Sequence, residues 1–254
     1  MLLFLSNGEI QVMKIGLIGY GHMGREVESV ALLRGHTVEF VIDENNQQDL
    51  TGAVLGGADV VVEFTRPDAA FGNIKACLEA GVPVVSGTTG WLEKLDEAKG
   101  LCVKKGGGLF YASNFSIGVN LFFELNARLA NLMSPYTGYS IRIEEIHHNR
   151  KKDAPSGTAL MLTEQILLEN KQLKGWSPDL VPSKDQIGMT CIREGNVTGT
   201  HSVMYLSDQD KITIRHEAFS RESFATGAVS AAEFMVGRKG IYTMKDLINK
   251  KLQE

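Results

Sequence analysis

The chain has 254 residues, of which 43% are hydrophobic and 22% are charged, and its formal net charge is -4. This length can bury one large core or two modest ones, and the composition is that of an ordinary globular protein. The charge balance gives no indication of a nucleic-acid-binding protein, and no stretch approaches the roughly 20 apolar residues of a membrane-spanning helix.

The cysteines and the first residues indicate a cytoplasmic protein. Cys77, Cys102 and Cys191 are scattered and show no CxxC spacing, which favours a reducing compartment. Residues 1–5 are apolar, but they lack a basic flank and polar residues soon follow them. We therefore do not expect a signal peptide.

The first part of the chain alternates strand and helix patterns. The predicted strands are 14–18, 37–42, 59–64, 82–86 and 109–112, and the predicted helices are 23–33, 67–80 and 91–99. Such alternation is typical of an α/β fold with a parallel sheet, which here predicts a Rossmann-type domain.

The pattern changes after residue 114. A long helix is predicted at 117–133, then a strand at 139–147 and a helix at 158–169. Three strand patterns then follow without helices between them, at 188–193, 200–206 and 211–217. This predicts an α+β domain with a mixed or antiparallel sheet. The last helices, 223–236 and 244–251, are expected to return to the first domain, so that the domains are 1–114 with 223–254, and 115–222.

The first predicted strand ends in the GxGxxG motif of residues 19–24. Between a strand and a helix, such glycines allow a tight turn, a close approach to a pyrophosphate, and close helix–strand packing. Asp43 ends the next strand, where an acid binds ribose hydroxyls. The alternative is a plain tight turn, but the context favours a dinucleotide-binding domain.

Two further loops follow strands at the same edge of the sheet. Residues 87–90 read GTTG and residues 63–67 read EFTRP. In a doubly wound sheet this edge faces the ligand crevice. Locally, the first loop is equally consistent with a threonine N-cap for a helix at Trp91, and the second with a strand exit where Pro67 begins a helix.

The most unusual stretch is residues 145–158, EIHHNRKKDAPSGT. Two histidines end a strand, three cations follow, and a Pro-Ser-Gly-Thr segment begins a helix. Free N–H groups at a helix start bind a carboxylate, and neighbouring cations neutralise a second one. A histidine there can move a proton near neutral pH. The stretch therefore predicts a site for a small dianionic substrate.

Other interpretations of this stretch carry less weight. His147 and His148 could bind zinc, but adjacent strand residues point to opposite faces, and no third His or Cys lies at ligand spacing, so we expect no metal. The cations could form a solvated turn, which we prefer for Lys152, and Ser156 or Thr158 could simply cap the helix. A nucleic-acid loop would need aromatic platforms that are missing here.

The same stretch resembles the signature E-x-H-H-x-x-K-x-D-x-P-S-G-T-A of the 4-hydroxy-tetrahydrodipicolinate reductase family, also called dihydrodipicolinate reductases. Other segments resemble family motifs in order: 63–67 (D-F-T-x-P), 87–90 (G-T-T-G), 112–120 (A-x-N-F-S-x-G-V-N), 193–201 (R-x-G-x-x-x-G-x-H), 216–221 (H-x-A-x-x-R) and 224–228 (F-A-x-G-A). The resemblance extends from about residue 13 to the C terminus.

The resemblance implies hydride transfer from a reduced nicotinamide to a cyclic dicarboxylate in lysine and diaminopimelate biosynthesis, by a homotetramer that associates through the substrate-domain sheets. It implies that His147 is a general acid/base and that Lys151 donates a proton or stabilises charge. The implied substrate-binding residues are His148, Ser156, Gly157 and Thr158. The implied cofactor-binding residues are Gly19, Tyr20, Gly21, His22, Met23, Gly24, Asp43, Gly87, Thr88, Thr89, Ala112, Ser113, Asn114 and Phe115.

The chain departs from the family in the residues that follow Asp43. The segment Asp43–Asn46 holds no Arg or Lys to meet a 2′-phosphate, so we expect NADH to be preferred, with NADPH still usable. Two other functions share the first domain: an aspartate-dehydrogenase-like enzyme and a nicotinamide-binding sensor. Neither needs both His147 and Lys151, and oxidation of NADH or NADPH with the substrate would discriminate among the three.

Overall fold

The structure is a computed structural model that describes residues 12–179 and 182–253, so the apolar leader considered above lies outside the described residues. The chain forms two compact units, one up to Ser116 and again from Phe224 on, the other Ile117–Ser223. The sequence pattern places these boundaries at 114 and 222. No helix within the described ranges is long and apolar enough to cross a membrane.

The first unit contains a six-stranded parallel sheet. Its strands are β1 (Lys14–Ile18), β2 (Thr37–Ile42), β3 (Val60–Glu63), β4 (Val84–Ser86), β5 (Gly108–Tyr111) and β11 (Gly240–Tyr242). The strand order is β11-β5-β4-β3-β1-β2. Its helices are α1 (His22–Leu33), α2 (Gly52–Leu55), α3 (Pro67–Ala80), α4 (Leu95–Lys105), α7 (Glu222–Met235) and α8 (Met244–Gln253). The inner strands are buried on both faces because helices cover them, which confirms the predicted Rossmann-type sheet.

Three details of this unit differ from the sequence prediction. Helix α2 and strand β11 were not predicted, because four and three residues are too few to show a period. Helix α4 begins and ends later than predicted: it accommodates Gly100 in its interior and stops at Gly106, whose φ of 58° is left-handed.

The second unit contains a mixed sheet, as the sequence predicts, but with five strands where four were predicted, since β7 was not foreseen. Its strands are β6 (Ser140–His147), β7 (Gly175–Ser177), β8 (Gln186–Arg193), β9 (Gly199–Leu206) and β10 (Lys211–Ala218), and its helices are α5 (Ile117–Met133) and α6 (Gly157–Glu169). The strand order is β10-β9-β6-β8-β7. Strand β6 is parallel to β8 and antiparallel to β9. Both helices pack on the face that carries Ile141 and Ile143.

Candidate active site

Strand β6 positions the candidate catalytic residues. Its alternate residues Ile141, Ile143, Glu145 and His147 share one face and are buried. The first two of these side chains are apolar and the last two are polar. The strand register adds neighbours that the sequence cannot show. Glu145 pairs with His201 of β9 and with Cys191 of β8, and His147 pairs with Arg193 of β8.

Glu145 is fully buried and is the centre of this group. Its Oε1 accepts from Arg193 Nη2 at 2.9 Å, and its Oε2 accepts from the Ser156 N–H at 3.0 Å. Burial alone would raise the pKa of Glu145, but the hydrogen bonds from Ser156 and Arg193 outweigh it, so the pKa lies below its usual value. The side chain is therefore an ionised carboxylate near neutral pH.

His147 lies beside this carboxylate, with its Nδ1 3.7 Å from Glu145 Oε2. Its ring meets that of His201 edge to face, with centroids 5.0 Å apart. A side chain at Gly199 would begin 3.2 Å from His147 Nε2, so the glycine leaves room for the ring. Burial lowers the pKa of His147, Glu145 opposes this shift, and the cations Lys151 and Arg193 add to it.

The loop after β6 is held by hydrogen bonds. His148 N–H donates to Val197 O at 2.8 Å, and Arg193 Nη2 donates to Asp153 O at 2.6 Å. Lys151 Nζ donates to both carboxylate oxygens of Asp153, at 2.9 and 2.8 Å. That bond is the main reason why the pKa of Asp153 lies below its usual value. Lys152 is exposed, as a solvated turn requires.

Helix α6 begins at this loop. Ser156 is its N-cap, with Oγ accepting from the Ala159 N–H and lying 3.1 Å from His201 Nε2. Within the described residues, the N–H groups of Gly157 and Thr158 have no protein acceptor. These two donors, close in sequence to Lys151, can bind a carboxylate. The Ser156 hydroxyl, by contrast, is buried and already bonded.

The structure corrects one step of the argument against a metal. Glu145, His147 and His201 bring one ligand atom each within 4.8 Å of one another, although sequence spacing shows no such set. The Glu145 carboxylate, however, already accepts from a guanidinium and a backbone N–H. A cation placed there would be repelled by Arg193, so we do not treat these residues as metal ligands.

In the first unit, the glycines of the 19–24 turn take the three positions that a dinucleotide fingerprint requires. Gly19 has a φ of 93°, and a side chain there would meet Phe64 O at 2.0 Å. A side chain at Gly24 would meet Gly19 O at 2.2 Å, whereas Gly21 has no described atom within 4 Å of that position. Gly21 therefore leaves the backbone open beside the start of α1, a position that suits a pyrophosphate.

The neighbouring loops are held by a second buried carboxylate, Glu63 at the end of β3. It accepts from the hydroxyls of Ser86 at 2.6 Å and Thr88 at 2.8 Å, and from Thr65 through both its N–H and its hydroxyl. Thr88 is thus committed to the protein interior. The alternative of a threonine cap is wrong, since Trp91 precedes the next helical turn and no side chain caps it.

The remaining cofactor candidates, Gly87 included, are at least partly accessible, with the exception of Phe115. Asp43 follows β2 and its Oδ1 accepts from the Asn45 N–H at 2.8 Å, which orients the carboxylate. The other accessible candidates are Tyr20, His22, Met23, Thr89, Ala112, Ser113 and Asn114. Phe115 is instead a core residue, packed against Phe64 and Phe110 at centroid distances of 5.7 and 5.8 Å.

Comparison with known proteins identifies the relatives of this arrangement. Two family models match almost all of the chain: dihydrodipicolinate reductase, N-terminus, over residues 13–115, and dihydrodipicolinate reductase, C-terminus, over residues 118–248. The chain belongs to the dihydrodipicolinate reductase family. The 4-hydroxy-tetrahydrodipicolinate reductase of Christiangramia forsetii is 48% identical over 238 residues, which cover 93% of this chain and 98% of that protein. That of Chromobacterium violaceum is 39% identical over 206 residues, or 77% of this chain and 75% of that protein.

A solved structure shares the fold. The dipicolinate-bound dihydrodipicolinate reductase from Paenisporosarcina sp. TG-14 has a TM-score of 0.73 and 22% identity, with coverage of 93% of this chain and 99% of that chain. The two family models and the 48% identical relative favour a reductase of this family over the aspartate-dehydrogenase-like and sensor alternatives.

Within this member of the dihydrodipicolinate reductase family, the structure brings His147 together with residues to which the sequence assigned no role. Those residues are Glu145, Arg193 and His201. The alternation of β6 places Glu145 and His147 on one face, and this signal was available in the sequence. Arg193 and His201 stand in the motif of residues 193–201, but their meeting with β6 depends on strand register.

Proposed function

We propose that this chain reduces 4-hydroxy-tetrahydrodipicolinate to tetrahydrodipicolinate with a reduced nicotinamide nucleotide, in lysine and diaminopimelate biosynthesis. The observation that carries the proposal is one constellation in the second unit: His147, Lys151 and the free N–H groups of Gly157 and Thr158. It offers a proton-transfer group and two positive sites for a dianion. The names of the two bacterial relatives support the same reaction.

In this mechanism, the bound nicotinamide supplies a hydride. The residues of the chain supply the proton and hold the substrate. His147 delivers a proton, with Lys151 stabilising the charge that develops or sharing the proton transfer. The N–H groups of Gly157 and Thr158 hold one carboxylate, and His148 also binds the substrate. The glycine turn and Asp43 of the first unit hold the pyrophosphate and the ribose.

We further propose a preference for NADH, because the oriented Asp43 carboxylate accepts from both ribose hydroxyls and repels a 2′-phosphate. Arg66 is the cation best placed in sequence to offset this. Its side chain is 72% exposed and lies 3.5 Å from Asp68, so it already has an acidic neighbour.

A homotetramer in the cytoplasm completes the proposal. On the edge strand β10, the alternate residues Lys211, Thr213, Arg215 and Glu217 are exposed, which leaves a polar strip for another subunit. The three cysteines are free, which suits a reducing compartment. Light scattering at micromolar concentration tests the assembly, and a monomeric mass would contradict it.

The function is tested by following the oxidation of NADH with the substrate generated in the cuvette. We expect turnover that is competitively inhibited by pyridine-2,6-dicarboxylate, a planar dianion. Pyridine-2-carboxylate is the matched control, since it keeps the ring and removes one carboxylate. Equal inhibition by both compounds would contradict the two carboxylate sites. If the chain oxidises neither NADH nor NADPH with this substrate, the proposed function is wrong.

A further inference from the structure

Glu145 has contacts that a purely structural acid does not need. Its side chain is fully buried, and it is bonded on one side by Arg193 and on the other by the N–H of Ser156. It also lies 3.7 Å from His147 Nδ1 and 3.8 Å from His201 Nε2. A buried carboxylate so close to a proton-transfer histidine has an electrostatic effect on it, since low-dielectric surroundings screen little.

We propose that Glu145 is the positioning residue of the reaction: its carboxylate fixes the ring of His147 and stabilises the protonated imidazole that delivers the proton. This inference rests on the function proposed above. His147 Nδ1 is buried and has no hydrogen-bond partner within the described residues, so Glu145 Oε2 is the nearby acceptor towards which this nitrogen can close. The other ring nitrogen, Nε2, lies on the side of Gly199.

The charges around His147 explain why a carboxylate is needed. Lys151 follows on the loop and Arg193 lies on β8, and both disfavour a second positive charge. Asp153, which Lys151 binds, acts in the opposite sense. Burial further disfavours the charged ring. Of the two carboxylates, Glu145 has the larger effect on the pKa of His147.

His201 completes the arrangement from β9. Burial, and then the neighbouring His147, lower its pKa to about 4, so it is neutral near neutral pH. His216 on β10 lies beside it in the register, and burial also lowers the pKa of that ring. Cys191 on β8 is a thiol, because burial and Glu145 raise its pKa to about 11. The imidazolium that Glu145 stabilises is therefore that of His147.

The test compares Glu145→Gln, Glu145→Asp and Glu144→Gln. The first removes the charge at nearly constant shape. The second keeps the charge but draws it back by one methylene. The third makes the same change as the first on the adjacent residue, which is only partly buried. Measurements are kcat, KM for NADH, and the pH dependence of kcat/KM.

For Glu145→Gln we expect kcat to fall about 10-fold or more with little change in KM for NADH. In the pH profile of kcat/KM, the limb at higher pH, where deprotonation of His147 abolishes activity, should move to lower pH because the stabilising negative charge is gone. Glu145→Asp should keep that limb in place and still lower kcat, and Glu144→Gln should behave as wild type. A limb that stays in place in Glu145→Gln would overturn the inference, and so would an unchanged kcat in Glu145→Asp if the Gln variant does not fold.

Titration of the histidine ring signals by NMR separates this inference from the proposed function, because it needs no substrate. The protein has six histidines, and His147→Gln assigns the signal. We expect the pKa of His147 to fall in Glu145→Gln. If the fall is seen in a protein without reductase activity, the proposed function fails and the Glu145–His147 pairing stands. If wild type loses activity in EDTA and stoichiometric zinc restores it, the cluster is a metal site and the inference is overturned.

Discussion

Glu63 and Glu145 are two fully buried carboxylates near the ends of strands, one in each unit, yet their surroundings differ. Glu63 is bonded by the hydroxyls of Ser86, Thr65 and Thr88 and by one backbone N–H. Glu145 is bonded by a guanidinium and lies beside two imidazoles. Hydroxyls fix a position without changing charge, whereas the imidazole of His147 can gain and lose a proton. The difference indicates that Glu63 shapes loops and that Glu145 acts on a proton.

The largest expected effect concerns the residue that Glu145 faces. His147→Gln should lower kcat by roughly 100-fold or more, because proton transfer is lost, while nucleotide binding stays intact. Steady-state kinetics with NADH and binding of NADH by fluorescence measure the two quantities. Near wild-type turnover between pH 6 and 8 would show that His147 does not transfer the proton. Glu145 would then have no proton-transfer partner, and its proposed difference from Glu63 would be wrong.

Glu63→Gln tests the loop-shaping role of the other buried carboxylate. The amide places N–H donors against hydroxyls that now donate to Glu63, so we expect the free energy of unfolding to fall by about 3 kcal/mol. Because Thr65 and Thr88 lie in loops at the cofactor edge, KM for NADH should rise, and the pH profile of kcat should not move. Glu79→Gln, on the exposed face of α3, is the matched control. A shifted pH profile in Glu63→Gln would show that the two carboxylates do not differ as described.

His201 gives the comparison a pH dependence of stability. Its pKa is about 4 in the fold, against about 6.5 in an unfolded chain. Below the unfolded value the unfolded chain binds the proton and the fold does not, so stability falls as the pH falls from about 6.5 towards 4. Between pH 7 and pH 5 this single group should cost about 2 kcal/mol. Urea denaturation at both pH values, in wild type and His201→Gln, measures the difference, and an equal loss in both would contradict it.

The smallest effect concerns Asp43. Repulsion of a 2′-phosphate, reduced by screening, should favour NADH by about 10-fold in kcat/KM, or roughly 1–2 kcal/mol. The ratio should narrow as salt is raised, and Arg66→Ala should leave it unchanged because Arg66 pairs with Asp68. A clear preference for NADPH, lost in Arg66→Ala, would show that Arg66 rather than Asp43 determines the choice.

Much of the fold followed from local periodicity. The alternation of β-branched strands with helices predicted the parallel sheet, and three strands without intervening helices predicted the mixed one. The elements missed were short: α2 has four residues, and β7 and β11 have three each, too few to show a period. Such short strands are recognised by their pairing with neighbouring strands, and only the folded chain shows that pairing.

The candidate site likewise combines residues that the sequence places together and residues that only the folded structure brings near them. Glu145 and His147 are two residues apart on one strand, so the sequence places them on one face. The meeting of Glu145 with Arg193 and His201 depends on the register of β6 against β8 and β9. Thr88 and Phe115 also required the structure, since only packing shows that the Thr88 hydroxyl and the Phe115 ring belong to the interior.

The path of the chain through the first unit has a consequence for its synthesis. Strand β11 adds to the edge of the sheet beside β5, and helix α7 is buried along most of its length, yet both are made after the whole second unit. Domains fold as units as they leave the ribosome, so the continuous second unit has all its residues available while the first still lacks an edge strand and two helices. The first unit is therefore the last to be finished, and loss of the C-terminal helices would damage the part of the protein that was translated first.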